Sequence, residues 1–133
     1  MKFAALAAWV VAAVAGGYLL VGWLAHEGRA TKVTRYPIAV MAGHPLAAVA
    51  GLGVWIGYLV TGRAEYAWVA FAALLVVFFQ GFMLFTRWLV GGGGRHARGA
   101  ERSFPRAAVV VHGGVAVTTF VLVFLTAMEV TRG

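Results

Sequence analysis

Apolar residues run along this chain in four long blocks separated by shorter polar stretches. The blocks cover residues 3–25, 37–61, 66–90 and 107–130, and the last carries no charged side chain from Ala107 to Met128. Each exceeds the roughly 20 helical residues needed to cross a hydrocarbon core about 30 Å thick. Backbone polar groups in lipid must be satisfied within a helix or a closed barrel, and the blocks lack the alternation of barrel strands, so they are expected to be helices. Between residues 61 and 66 there is room only for a tight turn, which makes the second and third helices antiparallel neighbours. Loops of greater length, residues 26–36 and 91–106, join the other pairs. The expected fold class is all-α: one domain, residues 1–133, a polytopic membrane protein with four transmembrane helices in an up-down-up-down bundle.

Composition agrees with a bilayer as solvent. Of 133 residues 62% are hydrophobic and 11% charged, and the mean hydropathy is +0.88, far from the balance of a soluble domain. The net charge of +7 resides in short segments between apolar blocks. Topology and anionic lipid account for charge so placed, and nucleic acid is not an expected partner. Lys2, Arg63 and Arg132 fall on one side of the bundle, and Arg29, Lys32, Arg35, Arg87, Arg95, Arg98, Arg102 and Arg106 on the other. This bias predicts an integral protein of the cell or inner membrane with both termini outside and loops 26–36 and 91–106 in the cytoplasm. Trp9, Trp23, Trp68 and Trp88 lie toward block ends, as interfacial anchors do, whereas Trp55 is deeper. Met1-Lys2 and the small residues Ala13-Val14-Ala15 suit a cleavable leader. Because the apolar run continues through Tyr18 to Leu24 ahead of the stronger basic cluster, a retained first helix is expected instead.

Two histidines interrupt the apolar blocks. His112 stands in V-V-V-H-G-G-V-A-V, residues 109–117, and His44 in the second block. A polar group in lipid must find a partner or serve a function. Pro37 precedes His44 by seven residues and Pro105 precedes His112 by seven, so both pairs are offset by 68; Tyr36 with Phe104, Ala39 with Ala107 and Ala48 with Ala116 match as well. The pattern suggests an internal repeat of two hairpins related by a pseudo-twofold axis along the membrane normal. Seven residues of helix carry each histidine about 10 Å beyond its proline, to similar depth in the cytoplasmic leaflet. Pro45 complicates this, since a helix beginning there would leave His44 as an interfacial cap. Residues seven apart share a helical stripe: His112, Thr119 and Thr126; His44, Gly51 and Tyr58; Gln80 and Arg87. Such stripes face the bundle interior. Near the histidine level the other two helices offer Gly16, Gly17 and Gly81, which allow close packing or the approach of a flat macrocycle.

Two readings of the histidine pair follow. In one, the imidazoles bond to carbonyls, hydroxyls or each other and specify packing. In the other, neutral imidazoles on two facing helices supply both axial positions of a b-type haem iron. That arrangement resembles the b-type cytochromes of membranes, in which paired histidines on transmembrane helices hold haem. The resemblance rests on a bundle and two residues, and it implies one haem b bound by His44 and His112, with Gly17 and Gly81 beside the macrocycle. Arg35, Arg106 and Lys32, nearer the cytoplasm, would face the propionates, and the function implied is electron transfer or haem binding.

Other chemistries find less footing. Cysteine is absent, which removes thiolate metal sites and cysteine nucleophiles. A zinc or copper site would require three or four ligands, and His26 and His96 lie in loops without ligand spacing. Ser103, the only serine, reads as a helix-start residue, so a hydrolytic triad has no basis. Glu129 with Arg132 three residues on is an interfacial pair. Gly91 to Gly94, followed by Arg95-His96-Ala97-Arg98-Gly99, is expected to be a flexible basic linker, because a phosphate cradle would need a Lys-Ser/Thr ending. Two non-haem classes stay open: an accessory subunit of a larger membrane complex, or a small homodimeric transporter. Gly53 and Gly57, at GxxxG spacing, would serve association with a second copy or a larger partner.

Overall fold

The computed structural model describes residues 1–25, 37–91 and 104–132, among which there are four α-helices: α1 (Lys2–Ala25), α2 (Ile38–Thr61), α3 (Ala64–Gly91) and α4 (Arg106–Arg132). Each is long and apolar enough to cross a membrane. The helices expected from the apolar blocks are all present, and their ends differ by one or two residues. Loop residues 26–36 and 92–103, which carry most of the basic side chains, lie outside the described residues.

Local chemistry explains where the helices begin and end. Pro37 precedes α2, and its carbonyl accepts from the amides of Val40 at 2.9 Å and Met41 at 3.0 Å. A proline suits this position because its missing N–H would be unsatisfied in a first turn anyway. The helix then runs on through Pro45, so His44 is a helical residue and not a cap. Pro45 has no N–H to give the carbonyl of Met41, four residues back. At the other end Gly62 adopts φ 69°, and its N–H bonds the carbonyl of Tyr58 at 2.8 Å. A left-handed residue closes a helix this way, and glycine adopts it without a Cβ clash. Only Arg63 then remains before α3, with Glu65 in its first turn.

Neighbouring helices pack in the cyclic order α1, α2, α3, α4, with the α2–α3 and α1–α4 pairs the most intimate. Across the bundle, α1 and α3 have no Cα pair within 8 Å, and neither do α2 and α4. The core divides into two clusters. One gathers Ala5, Trp9, Trp55, Tyr58, Ala67, Ala70, Leu74, Val77, Val123 and Ala127; the other holds Trp23 and Met41, backed by Leu20, Leu84, Trp88 and Phe104. In the first, Trp9 crosses α2 where a Cβ on Gly51 would lie 3.0 Å from its ring, so glycine gives the indole its close seat on the helix. Trp55 packs between Trp9 and Tyr58, with ring centroids 6.5 and 4.9 Å away. The histidines stand on α2 and α4, outside both clusters.

Candidate functional site

His44 and His112 come together. They project from helices that face each other across the bundle, and their ring centroids are 6.2 Å apart with planes at 79°. Each ring is held by the neighbouring helix in the same way. The Nδ1–H of His44 donates to the carbonyl of Val77 on α3 at 3.0 Å, and that of His112 donates to the carbonyl of Ala12 on α1, also at 3.0 Å. In both cases the residue four beyond the accepting carbonyl is the glycine against which the ring lies. A Cβ on Gly81 would fall 3.0 Å from Cε1 of His44, and one on Gly16 would fall 2.9 Å from Cε1 of His112.

These bonds decide the tautomer. A carbonyl can only accept, so Nδ1 of each neutral imidazole carries the proton and Nε2 keeps its lone pair. Metal-ligating histidines are commonly oriented by such a bond from the other ring nitrogen, which fixes the ring and raises the basicity of the ligating one. The separation is informative too. With metal–nitrogen bonds of about 2.0–2.1 Å and about 1.1 Å from each nitrogen to its ring centre, a linear imidazole–metal–imidazole unit places the centroids about 6.3 Å apart. A direct imidazole–imidazole hydrogen bond of about 2.9 Å would draw them to about 5.1 Å. The observed 6.2 Å is too long for the latter and matches both the former and an ordinary edge-to-face ring pair.

Around the pair, the structure sorts the other residues named from sequence. Gly81 touches His44, as its depth suggested. On α1 it is Gly16 that meets a histidine, whereas Gly17 is exposed with nothing within 4 Å of its would-be Cβ. Gly113 and Gly114 are likewise open. Arg106 is the exposed first residue of α4, while Arg35 and Lys32 lie outside the described residues. Thr119 and Thr126 face inward as their stripe predicted, but each hydroxyl bonds the carbonyl four residues back, Val115 at 2.9 Å and Leu122 at 2.7 Å. Gly51 and Tyr58 are buried, and Arg87 is exposed. Gln80 sets its Nε2 3.2 Å from where a Cβ on Gly43 would lie, and its buried Oε1 has no hydrogen-bond partner. Of the GxxxG pair, Gly57 is covered by Tyr66 of the same chain at 3.6 Å, so the two glycines do not form one free face.

No protein-family model matches the chain, and comparison with curated proteins and with solved structures finds no similar one. Function must therefore be argued from the site. Among the described residues no three His, Cys, Asp or Glu side chains come close enough to share an ion. The site offers two imidazoles on opposite sides, which suits an iron whose other four ligands come from a macrocycle.

Sequence reasoning offered Gly16 and Gly17 together and placed Gly17 beside the macrocycle, and it missed the two carbonyls. A signal for Gly16 exists at an offset of 65 between α1 and α3, which pairs Ala5 with Ala70, Ala8 with Ala73, Gly16 with Gly81, Leu19 with Leu84 and Trp23 with Trp88. The histidine helices are offset by 68, so a search at that single offset passes over it.

Proposed function

We propose that this is a haem b protein of the membrane, serving as an electron-transfer or haem-binding subunit, with His44 and His112 as the axial ligands. The observation that carries the reading is the pair of rings 6.2 Å apart on facing helices, each turned by an Nδ1 bond to a carbonyl so that Nε2 is left to bind. A metal between the rings would account for their spacing as well as for the orienting Nδ1 bonds. When bound, the haem would supply one-electron chemistry at its iron. The protein's part is to hold both imidazoles neutral, oriented and away from water, and to let the rings approach the backbone at Gly16 and Gly81.

The same reading takes the bundle as up-down-up-down and built of two hairpins. Equivalent positions support this. Buried Met41, Gly51, Trp55 and Tyr58 of α2 correspond, at an offset of 68, to buried Val109, Thr119, Val123 and Thr126 of α4. At an offset of 65, buried Ala5, Trp9 and Ala12 of α1 correspond to buried Ala70, Leu74 and Val77 of α3. The set of histidine, acceptor and glycine then occurs twice, each histidine reaching from its own half to the carbonyl and glycine of the other. Both termini are proposed to lie outside, because the basic residues favour a cytoplasmic position for the two long loops.

The test is the visible spectrum of the purified protein. A dithionite-reduced, low-spin b-haem spectrum is expected, lost or turned high-spin in His44→Ala and His112→Ala and retained in His26→Ala and His96→Ala. A colourless protein from haem-sufficient cells that also fails to bind added haemin would refute the proposal.

A further inference from the structure

Two buried indoles have no hydrogen-bond partner for Nε1, those of Trp55 and Trp23, and they lie in different core clusters. Trp55 is fully enclosed between Trp9 and Tyr58 and stands eleven residues from His44, about 16 Å along the helix. Trp23 is placed differently. It follows Gly16, the residue against His112, by two turns, so its Cα is about 10 Å further along α1 on the same face. Helical side chains lean toward the N-terminus, which swings this indole back toward the histidines. Met41, one turn before His44, packs against it.

An indole N–H is a donor only, and burying it without an acceptor forfeits the hydrogen bond it makes to water. Trp23 is 2% exposed, so neither bulk water nor a side chain of its cluster meets this need. Resting on the haem reading, we infer that the Nε1–H of Trp23 donates to a haem propionate, which fixes the haem with its acidic edge toward Trp23 and its apolar edge toward Trp9 and Trp55. The carboxylates are the strong acceptors that haem b carries, and they extend beyond the ring edge. The electrostatics favour the same direction. Both histidine-bearing helices begin near Trp23, at Ile38 and Arg106, and helix N-termini favour negative charge.

Trp88 provides a matched control. It is the equivalent of Trp23 at an offset of 65 and borders the same cluster, but its ring stacks on Phe85 at 5.8 Å and its Nε1 is not among the buried unpaired atoms. The experiment titrates the full-length apoprotein in detergent with haem and with haem dimethyl ester, in which both propionates are capped, and follows Soret absorbance for wild type, Trp23→Phe and Trp88→Phe. Loss of a hydrogen bond to a charged group predicts about a tenfold or greater weakening of haem binding in Trp23→Phe. Ester binding should change much less, and Trp88→Phe should resemble wild type with both. Resonance Raman spectra of the loaded proteins give a readout independent of affinity: the propionate bending band should shift in Trp23→Phe alone. Equal losses for haem and ester in Trp23→Phe, or an unmoved propionate band, would overturn the inference while leaving bis-histidine ligation standing. If wild type bound neither porphyrin, the haem reading itself would fall, and this inference with it.

Discussion

Adding one methyl group to α1 should separate the two adjacent glycines completely. In Gly16→Ala the new Cβ would sit 2.9 Å from Cε1 of His112, with Nδ1 at 3.4 Å and Nε2 at 3.6 Å. An ordinary carbon–carbon contact is about 3.5–4.0 Å, so the ring must retreat by about 0.6 Å or more, or the helices must part. Neither movement is free. The ring is tethered to the carbonyl of Ala12, one turn back on the same helix, by a bond already 3.0 Å long. A retreat from Gly16 therefore stretches that bond, whose net worth is about 0.5–1.5 kcal/mol. It also shifts the ring relative to that of His44, 6.2 Å away. Disturbing an outer-shell partner of a metal ligand typically costs about 10–100-fold in affinity, and that is the loss expected for haem binding to Gly16→Ala.

Gly17→Ala is the internal control, because a Cβ there meets nothing within 4 Å. Its haem affinity should stay within about threefold of wild type, a difference of about 0.6 kcal/mol. Gly81→Ala, with its Cβ 3.0 Å from Cε1 of His44, should repeat the Gly16 result from the opposite face. The assay is haemin titration of each apoprotein in detergent, with circular dichroism to establish that helicity is retained. Equal affinities for Gly16→Ala and Gly17→Ala would refute the claim that the ring's seat on the backbone controls ligation.

Planes crossed at 79° predict that the ferric low-spin protein gives an EPR spectrum dominated by a single low-field line; a well-resolved rhombic spectrum, typical of near-parallel rings, would contradict it. The indole N–H of Trp68 donates to the hydroxyl of Thr131 at 2.9 Å and joins α3 to the end of α4, so Thr131→Val should lower stability in detergent by about 1 kcal/mol without altering the haem spectrum. For topology, cysteines introduced at Thr31 and Gly99 should resist an impermeant thiol reagent in intact cells and one at Gly133 should react; labelling in the opposite pattern would reverse the proposed orientation.

Helix number, approximate ends and the shared depth of the histidines were legible in the sequence because each depends on short-range pattern. Apolar length sets the number of helices. Seven residues from proline to histidine set depth, whatever the packing. Facing is harder to read, and the glycines show why. Gly16 and Gly17 lie at nearly the same depth, but successive residues point about 100° apart around a helix, so one touches His112 and the other is exposed. Choosing between them needs the rotation of α1 about its own axis, which the bundle sets through contacts distant in sequence. Buried Ala5, Trp9, Ala12 and Trp23 fix that rotation, yet against a uniformly apolar background they do not stand out. Pro45 left an alternative open in the sequence. A proline at that position suggests a helix start, but in lipid the helix is retained because unfolding it would expose many more backbone groups than the one carbonyl that loses its partner.

The crossed planes follow from the proposed repeat. If a twofold axis runs along the bundle, it carries His44 onto His112 and the Val77 carbonyl onto that of Ala12. A ring rotated by some angle from the axis toward its own acceptor must then be matched by a ring rotated equally in the opposite sense as seen along the line joining them. Half of 79° puts each ring about 40° from the axis. On that repeat the rings would be crossed because each hairpin's histidine is directed at an equivalent carbonyl of the other hairpin, Val77 for His44 and Ala12 for His112. The symmetry also has a limit. Trp55 has its equivalent in Val123, and Gln80, at an offset of 65, in Ala15. Two matching halves would present a haem with two equal orientations about the axis. Side chains that differ between the halves offer a means of selecting one of them, since a bulky indole on one side faces a valine on the other.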